Sequence, residues 1–167
     1  MSLRLAKARL AKRDSLSITG MLDQLRHSLG GTTMTLPITA ITALICAILL
    51  LLTAIDTVRQ RMRAKIAFGD GGDAKIISAS RSHANLAEHA PIVIIMIGLL
   101  EQAHAHHLIL SAVAGFFLLG RVAHVFGLYA PMNETPPVPR QIGVIFTWVT
   151  LLILILWTLW LVVTVNG

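Results

Sequence analysis

Four long apolar runs, 36–58, 76–100, 108–129 and 141–165, decide what this chain can become. At about 1.5 Å of rise per residue, each is long enough to cross a hydrocarbon layer of about 30 Å as an α-helix. Lipid offers no partners to the backbone, so a run of this kind must satisfy its own N–H and C=O groups, and a helix does so. Hydrophobic residues make up 55% of the 167 and charged residues 13%, more apolar surface than a soluble core built from so short a chain could hide. The expected fold is an all-α integral membrane protein, a four-helix transmembrane bundle over residues 34–167. Between the third and fourth runs, Pro136, Pro137 and Pro139 keep the connection from being helical throughout. Trp148, Trp157 and Trp160 in the last run can anchor at an interface or pack between helices.

A formal net charge of +6 invites a nucleic-acid reading, which its distribution excludes. Six of the 14 Lys and Arg precede residue 34, and from Met34 onward eight basic residues face six acidic ones. The single cysteine, Cys46, sits inside an apolar run, so neither an intramolecular disulfide nor a thiolate metal cluster is available. The segment His104, Ala105, His106, His107 lacks a carboxylate pattern and the helical ligand spacing of a metal site, and reads as a solvated loop. No metal is expected.

Orientation follows from the loop between the first two runs, where Arg59, Arg61, Arg63, Lys65 and Lys75 outnumber Asp70 and Asp73. The positive-inside rule makes that loop cytoplasmic and puts the start of the fourth run, with Arg140, on the same side. Residues 1–33 conflict with this, because their own basic residues argue for a cytoplasmic N-terminus that four spans cannot supply. This leader reads as a basic amphipathic surface helix, as a targeting segment, or as an extension upstream of a natural start at Met34; the last leaves the remaining chain self-consistent.

Ionisable residues inside a span cost about 2.5 to 3.5 kcal/mol on insertion scales and therefore mark sites or pairs. Arg81, Asn85 and Glu88 are spaced i, i+4, i+7 and share one stripe of the second helix, while Arg121 and His124 at i, i+3 share one near the end of the third. Counting rise from the basic end puts Arg81 roughly 8 Å deep, Glu88 roughly 18 Å, Arg121 roughly 12 Å and His124 roughly 8 Å. With Arg140 at the mouth of the fourth helix, all six converge on one leaflet. Three arginines around one embedded acid leave excess positive charge that an anionic ligand resolves. His83 and His89 are candidate lining or interface residues, and Pro91 is expected to kink the helix beside Glu88. A transport path would need charges through both leaflets, and the other leaflet offers little beyond Glu101 and the histidines.

The stretch RSHANLAEHAP (81–91) and the later GRVAHVFGL (120–128) resemble the second- and third-helix signatures of the MAPEG family, the membrane-associated proteins in eicosanoid and glutathione metabolism. The specific part is Arg81, Asn85 and Glu88 at that spacing. The resemblance runs from Leu36 to the C-terminus and implies a homotrimer of four-helix subunits that holds glutathione between neighbours in the cytoplasmic leaflet. His124 and Leu128 stand where eukaryotic members tend to carry tyrosines, which resembles the bacterial branch and implies a multi-pass protein of a bacterial inner membrane.

Carried over by position, the resemblance implies that Arg81, Asn85 and Glu88 contact glutathione and that Arg121 matches the arginine opening the third-helix motif. Arg140 takes the place of the arginine that holds the thiolate near the start of the fourth helix. The expected catalytic residues are thus Arg140 and Arg121, and the expected glutathione-binding residues are Arg81, Asn85, Glu88, His124, His83 and His89. The chemistry matches: arginines suit the two carboxylates, Glu88 the ammonium, and Asn85 a peptide or carboxylate oxygen. The implied function is a glutathione transferase or peroxidase acting on lipophilic electrophiles or hydroperoxides that arrive from membrane lipids. The alternative is a non-catalytic lipid- or glutathione-binding scaffold of the same fold.

Overall fold

The structure, a computed structural model, describes residues 19–23, 34–130 and 135–166. The chain divides between Thr35 and Leu36 into two units. In the first, residues 19–23 are helical; the rest of the leader, on which the surface-helix and extension readings fall, lies outside the described residues. The second unit holds four helices, α1 (Pro37–Ala64), α2 (Ala74–Gln102), α3 (His107–Tyr129) and α4 (Val138–Asn166). All four are long and apolar enough to cross a membrane. The chain is an all-α, multi-pass integral membrane protein.

Two hairpins, α1 with α2 and α3 with α4, form the most extensive contacts, and α2 and α3 join them, while α1 and α4 do not touch among the described residues. One apolar core fills the half of the bundle remote from the basic α1–α2 loop, with Val93, Ile97 and Leu100 of α2 against Leu110 and Phe117 of α3 and Leu154 of α4. Around it the outward faces stay apolar: Leu44, Leu51 and Ile55 on α1 and Ile155, Leu156 and Trp160 on α4 are exposed on the single chain, as spanning helices require. Trp157 packs against the core, whereas Trp148 and Trp160 face outward.

The helix ends follow from local chemistry. α1 continues six residues past the apolar run because nothing in RQRMRA breaks a helix. It stops where Lys65 turns left-handed (φ 56°) and the Ile66 N–H returns to the Arg61 carbonyl. The loop beyond is tied down: Arg61 donates to the carbonyls of Ala67 and Gly69, and Arg63 pairs with Asp73 at 2.7 Å. Asp73 then caps α2, accepting from the N–H groups of Lys75 and Ile76. α4 starts at Val138 with Pro139 in its first turn, where a missing N–H costs nothing.

Helix α2 runs through Pro91 without interruption. Pro91 lines an apolar groove of about 190 Å³ against α1, together with Cys46 and Leu86, and so lies away from the polar cavity that Glu88 lines.

Candidate functional site

The antiparallel order of the four helices brings the start of α2, the end of α3 and the start of α4 to the basic end of the bundle. There they enclose an open cavity of about 400 Å³, within the range of small-molecule sites. Arg81, Asn85 and Glu88 line it from one stripe of α2, His124 and Leu128 from α3, and Arg140 and Val144 from α4. Ser78, one turn before Arg81, continues the stripe. Arg81 and Glu88 are exposed on the single chain, and neither forms an ion pair among the described residues.

Arg140 reaches the cavity because α3 and α4 cross in near backbone contact. A Cβ on Gly127 would fall 2.2 Å from the Arg140 backbone nitrogen, and one on Gly143 would fall 2.5 Å from the His124 Cβ. Only glycine permits that approach. The crossing also sets the tautomer of His124, whose Nδ1 lies 3.3 Å from the Arg140 carbonyl. A carbonyl only accepts, so Nδ1 carries a hydrogen, and in the neutral ring Nε2 is left with the lone pair.

Arg121 lies behind the lining rather than on it, with 2% of its surface exposed. Its guanidinium donates through Nη1 to Asn85 Oδ1 at 2.6 Å and through Nη2 to the Gly143 carbonyl at 2.9 Å and to Thr147 Oγ1. The Phe117 ring lies 5.5 Å from Cζ. Every acceptor is neutral, Nε has no partner, and no carboxylate pairs with the group among the described residues. Arg121 thus spans three helices and holds a charge that no carboxylate among the described residues balances.

Of the eight residues expected at the site, Arg81, Asn85, Glu88, His124 and Arg140 line one cavity. Arg121 touches it only through Asn85. His83 instead faces α1, with Nδ1 3.3 Å from Thr53 Oγ1, and His89 turns Nδ1 back to the Asn85 carbonyl at 2.9 Å. Sequence reasoning passed over Thr147 and Gly143, although Arg140, Gly143 and Thr147 at i, i+3, i+7 form a stripe as regular as that of α2. It also passed over Asp56, an acid inside the first apolar run, which accepts from the Tyr129 hydroxyl and from Gln60 Nε2 at 3.0 Å.

Comparison with known proteins decides the family. The model of the MAPEG family matches residues 39–160, nearly the whole four-helix unit. The chain belongs to the MAPEG family. Among curated MAPEG relatives, Inner membrane protein YecN of Escherichia coli strain K12 is 32% identical over 123 residues, covering 74% of this chain and 91% of that protein. YecN of E. coli O6:H1 strain CFT073 matches to the same extent. That relative's location agrees with the inner-membrane placement expected of a bacterial MAPEG member. No solved structure matches this MAPEG chain at a significant level.

Proposed function

We propose that this MAPEG member binds glutathione in the cavity at its basic end and holds it as a thiolate for attack on a lipophilic electrophile or hydroperoxide entering from the bilayer. The observation that carries the reading is the buried Arg121 with neutral acceptors only. On the lining itself, Arg81 and Arg140 stand with a single acid, Glu88, and Arg121 behind them adds to the positive potential in a low-dielectric site. Glutathione, with two carboxylates and one ammonium, is an anion of the right chemistry: Arg81 takes a carboxylate, Glu88 the ammonium, and Asn85 an oxygen. Arg140, carried to the cavity by the glycine crossing, faces the thiol and stabilises its ionised form. The thiolate forms its bond to the electrophile as the leaving group departs, or attacks the hydroperoxide's terminal oxygen and expels an alkoxide that takes up a proton.

In the homotrimer that family membership implies, a neighbouring subunit closes the open side of the cavity, where Arg81 and Glu88 would otherwise meet lipid at a cost of about 2.5 to 3.5 kcal/mol each. Chemical crosslinking in native membranes that stops at the monomer would exclude this arrangement.

One observation favours the non-catalytic alternative: Leu128 gives the lining no hydroxyl, and that of Tyr129 is engaged by Asp56. Stopped-flow absorbance in the thiolate band separates the two readings. Catalysis requires the band to appear when glutathione meets wild-type protein and to vanish in Arg140→Leu. A protein that binds glutathione with no thiolate band is a scaffold, and the enzymatic reading ends there.

A further inference from the structure

Asn85 is the one neutral polar side chain on the α2 stripe whose carboxamide orientation is dictated by chemistry. A guanidinium has no acceptor, so the atom 2.6 Å from Arg121 Nη1 must be the carboxamide oxygen. The Asn85 Nδ2 hydrogens have no acceptor among the described residues, and the side chain is half-buried on the cavity lining. Behind it, the Thr147 hydroxyl gives its own hydrogen to the Gly143 carbonyl at 2.8 Å and so offers only lone pairs to Arg121 Nη2. Each bond has a single allowed direction: Thr147 donates to the Gly143 carbonyl on α4, and Arg121 donates both to Thr147 and to Asn85 on α2.

We infer that Arg121 is a positioning residue acting through Asn85: it locks the carboxamide with oxygen inward, so that the cavity presents N–H donors at this point and selects a ligand carrying a carboxylate or peptide carbonyl there. The inference rests on glutathione occupying the cavity and adds which residue, itself out of reach of the ligand, holds Asn85 in the orientation that meets an oxygen there. Arg121 contributes selectivity without touching the ligand, because burial makes any other carboxamide orientation set donor against donor.

The experiment is calorimetric titration of detergent-purified protein with reduced glutathione, paired with melting of the ligand-free protein. Asn85→Asp keeps an oxygen toward Arg121 and gains an ion pair with it, so its ligand-free melting temperature equals or exceeds that of wild type. Its second oxygen shows lone pairs where donors stood, and glutathione affinity falls tenfold or more. Ser78→Asp puts the same charge elsewhere on the lining and weakens binding less. Thr147→Val, which loosens Arg121 from behind, weakens binding severalfold. Equal losses in Asn85→Asp and Ser78→Asp would reduce the effect to charge alone and overturn the inference, as would undiminished affinity in Asn85→Asp. In either case the glutathione site stands. A marked drop in the ligand-free melting temperature of Asn85→Asp would refute the Arg121 to Asn85 geometry. Wild type that binds no glutathione would remove the site and this inference with it.

Discussion

Glu101, at the last turn of α2, closes the opposite end of the molecule. Helix α1 begins at Leu36 and Pro37 with no cap of its own, and the Glu101 carboxylate accepts from the N–H groups of Ile38 and Thr39, both at 2.8 Å, and from the Thr39 hydroxyl at 2.6 Å. A carboxylate at a helix N-terminus satisfies orphan donors and meets the positive end of the dipole. Glu101→Ala leaves those donors buried and unpaired, and should cost about 1 to 3 kcal/mol in thermal unfolding while glutathione affinity stays unchanged. A second residue-scale effect belongs to Asp73, whose carboxyl is held below the ordinary range by the Ile76 N–H and then by the Arg63 guanidinium. A depressed carboxyl stabilises the fold above its unfolded pKa and ceases to do so as pH falls through its folded value. Stability measured down to acid pH should therefore fall less steeply in Asp73→Asn than in wild type. The α2 stripe was legible in the sequence because its period is that of a helix. The roles of Glu101 and Asp56 were not, since Ile38, which Glu101 caps, and Tyr129, which meets Asp56, lie on other helices, 63 and 73 residues away.

At the scale of elements, the α3–α4 crossing positions the site. Gly120, Gly127 and Gly143 lie where a Cβ would come within 2.6 Å of the facing helix, while Phe116 stacks on Phe146 with centroids 3.9 Å apart. Alanine at Gly127 or Gly143 must push the helices apart and carry Arg140 from the cavity. Each should cost about 1 to 3 kcal/mol and weaken glutathione binding. Gly115→Ala, whose Cβ meets nothing within 4 Å, should leave both unchanged. Equal behaviour of all three variants in melting and binding would show that the close approach does not set the site. The spans were legible from hydropathy to within a few residues at most ends. The exception was the C-terminal end of α1, because hydropathy reports where lipid ends and not where a helix ends. Nothing in one chain's hydropathy shows which helix faces touch, so the displacement of Arg121 behind the lining and the turning of His83 toward α1 had to come from the fold.

Across the whole molecule, the two halves of the bundle do different work. An apolar core from Ala90 to Leu100 on α2 and from Leu110 to Phe117 on α3 holds the half far from the basic loop. The other half gives up that packing for charge: Arg81, Glu88, Arg121, His124 and Arg140 are gathered there. This division was visible in the sequence as polar residues crowded into the start of one run and the end of the next. On the proposed reading an anion settles the charge of this layout, and glutathione should then stabilise the folded protein by mass action, by about 2.7 kcal/mol at a hundredfold excess over Kd. The most direct measurement is the melting temperature of detergent-purified protein titrated with reduced glutathione, for wild type, Arg81→Ala and Glu88→Gln. A saturable rise in wild type, absent from both variants, is the expected result; no rise at millimolar glutathione, or the same rise in all three proteins, would contradict a glutathione site on this stripe.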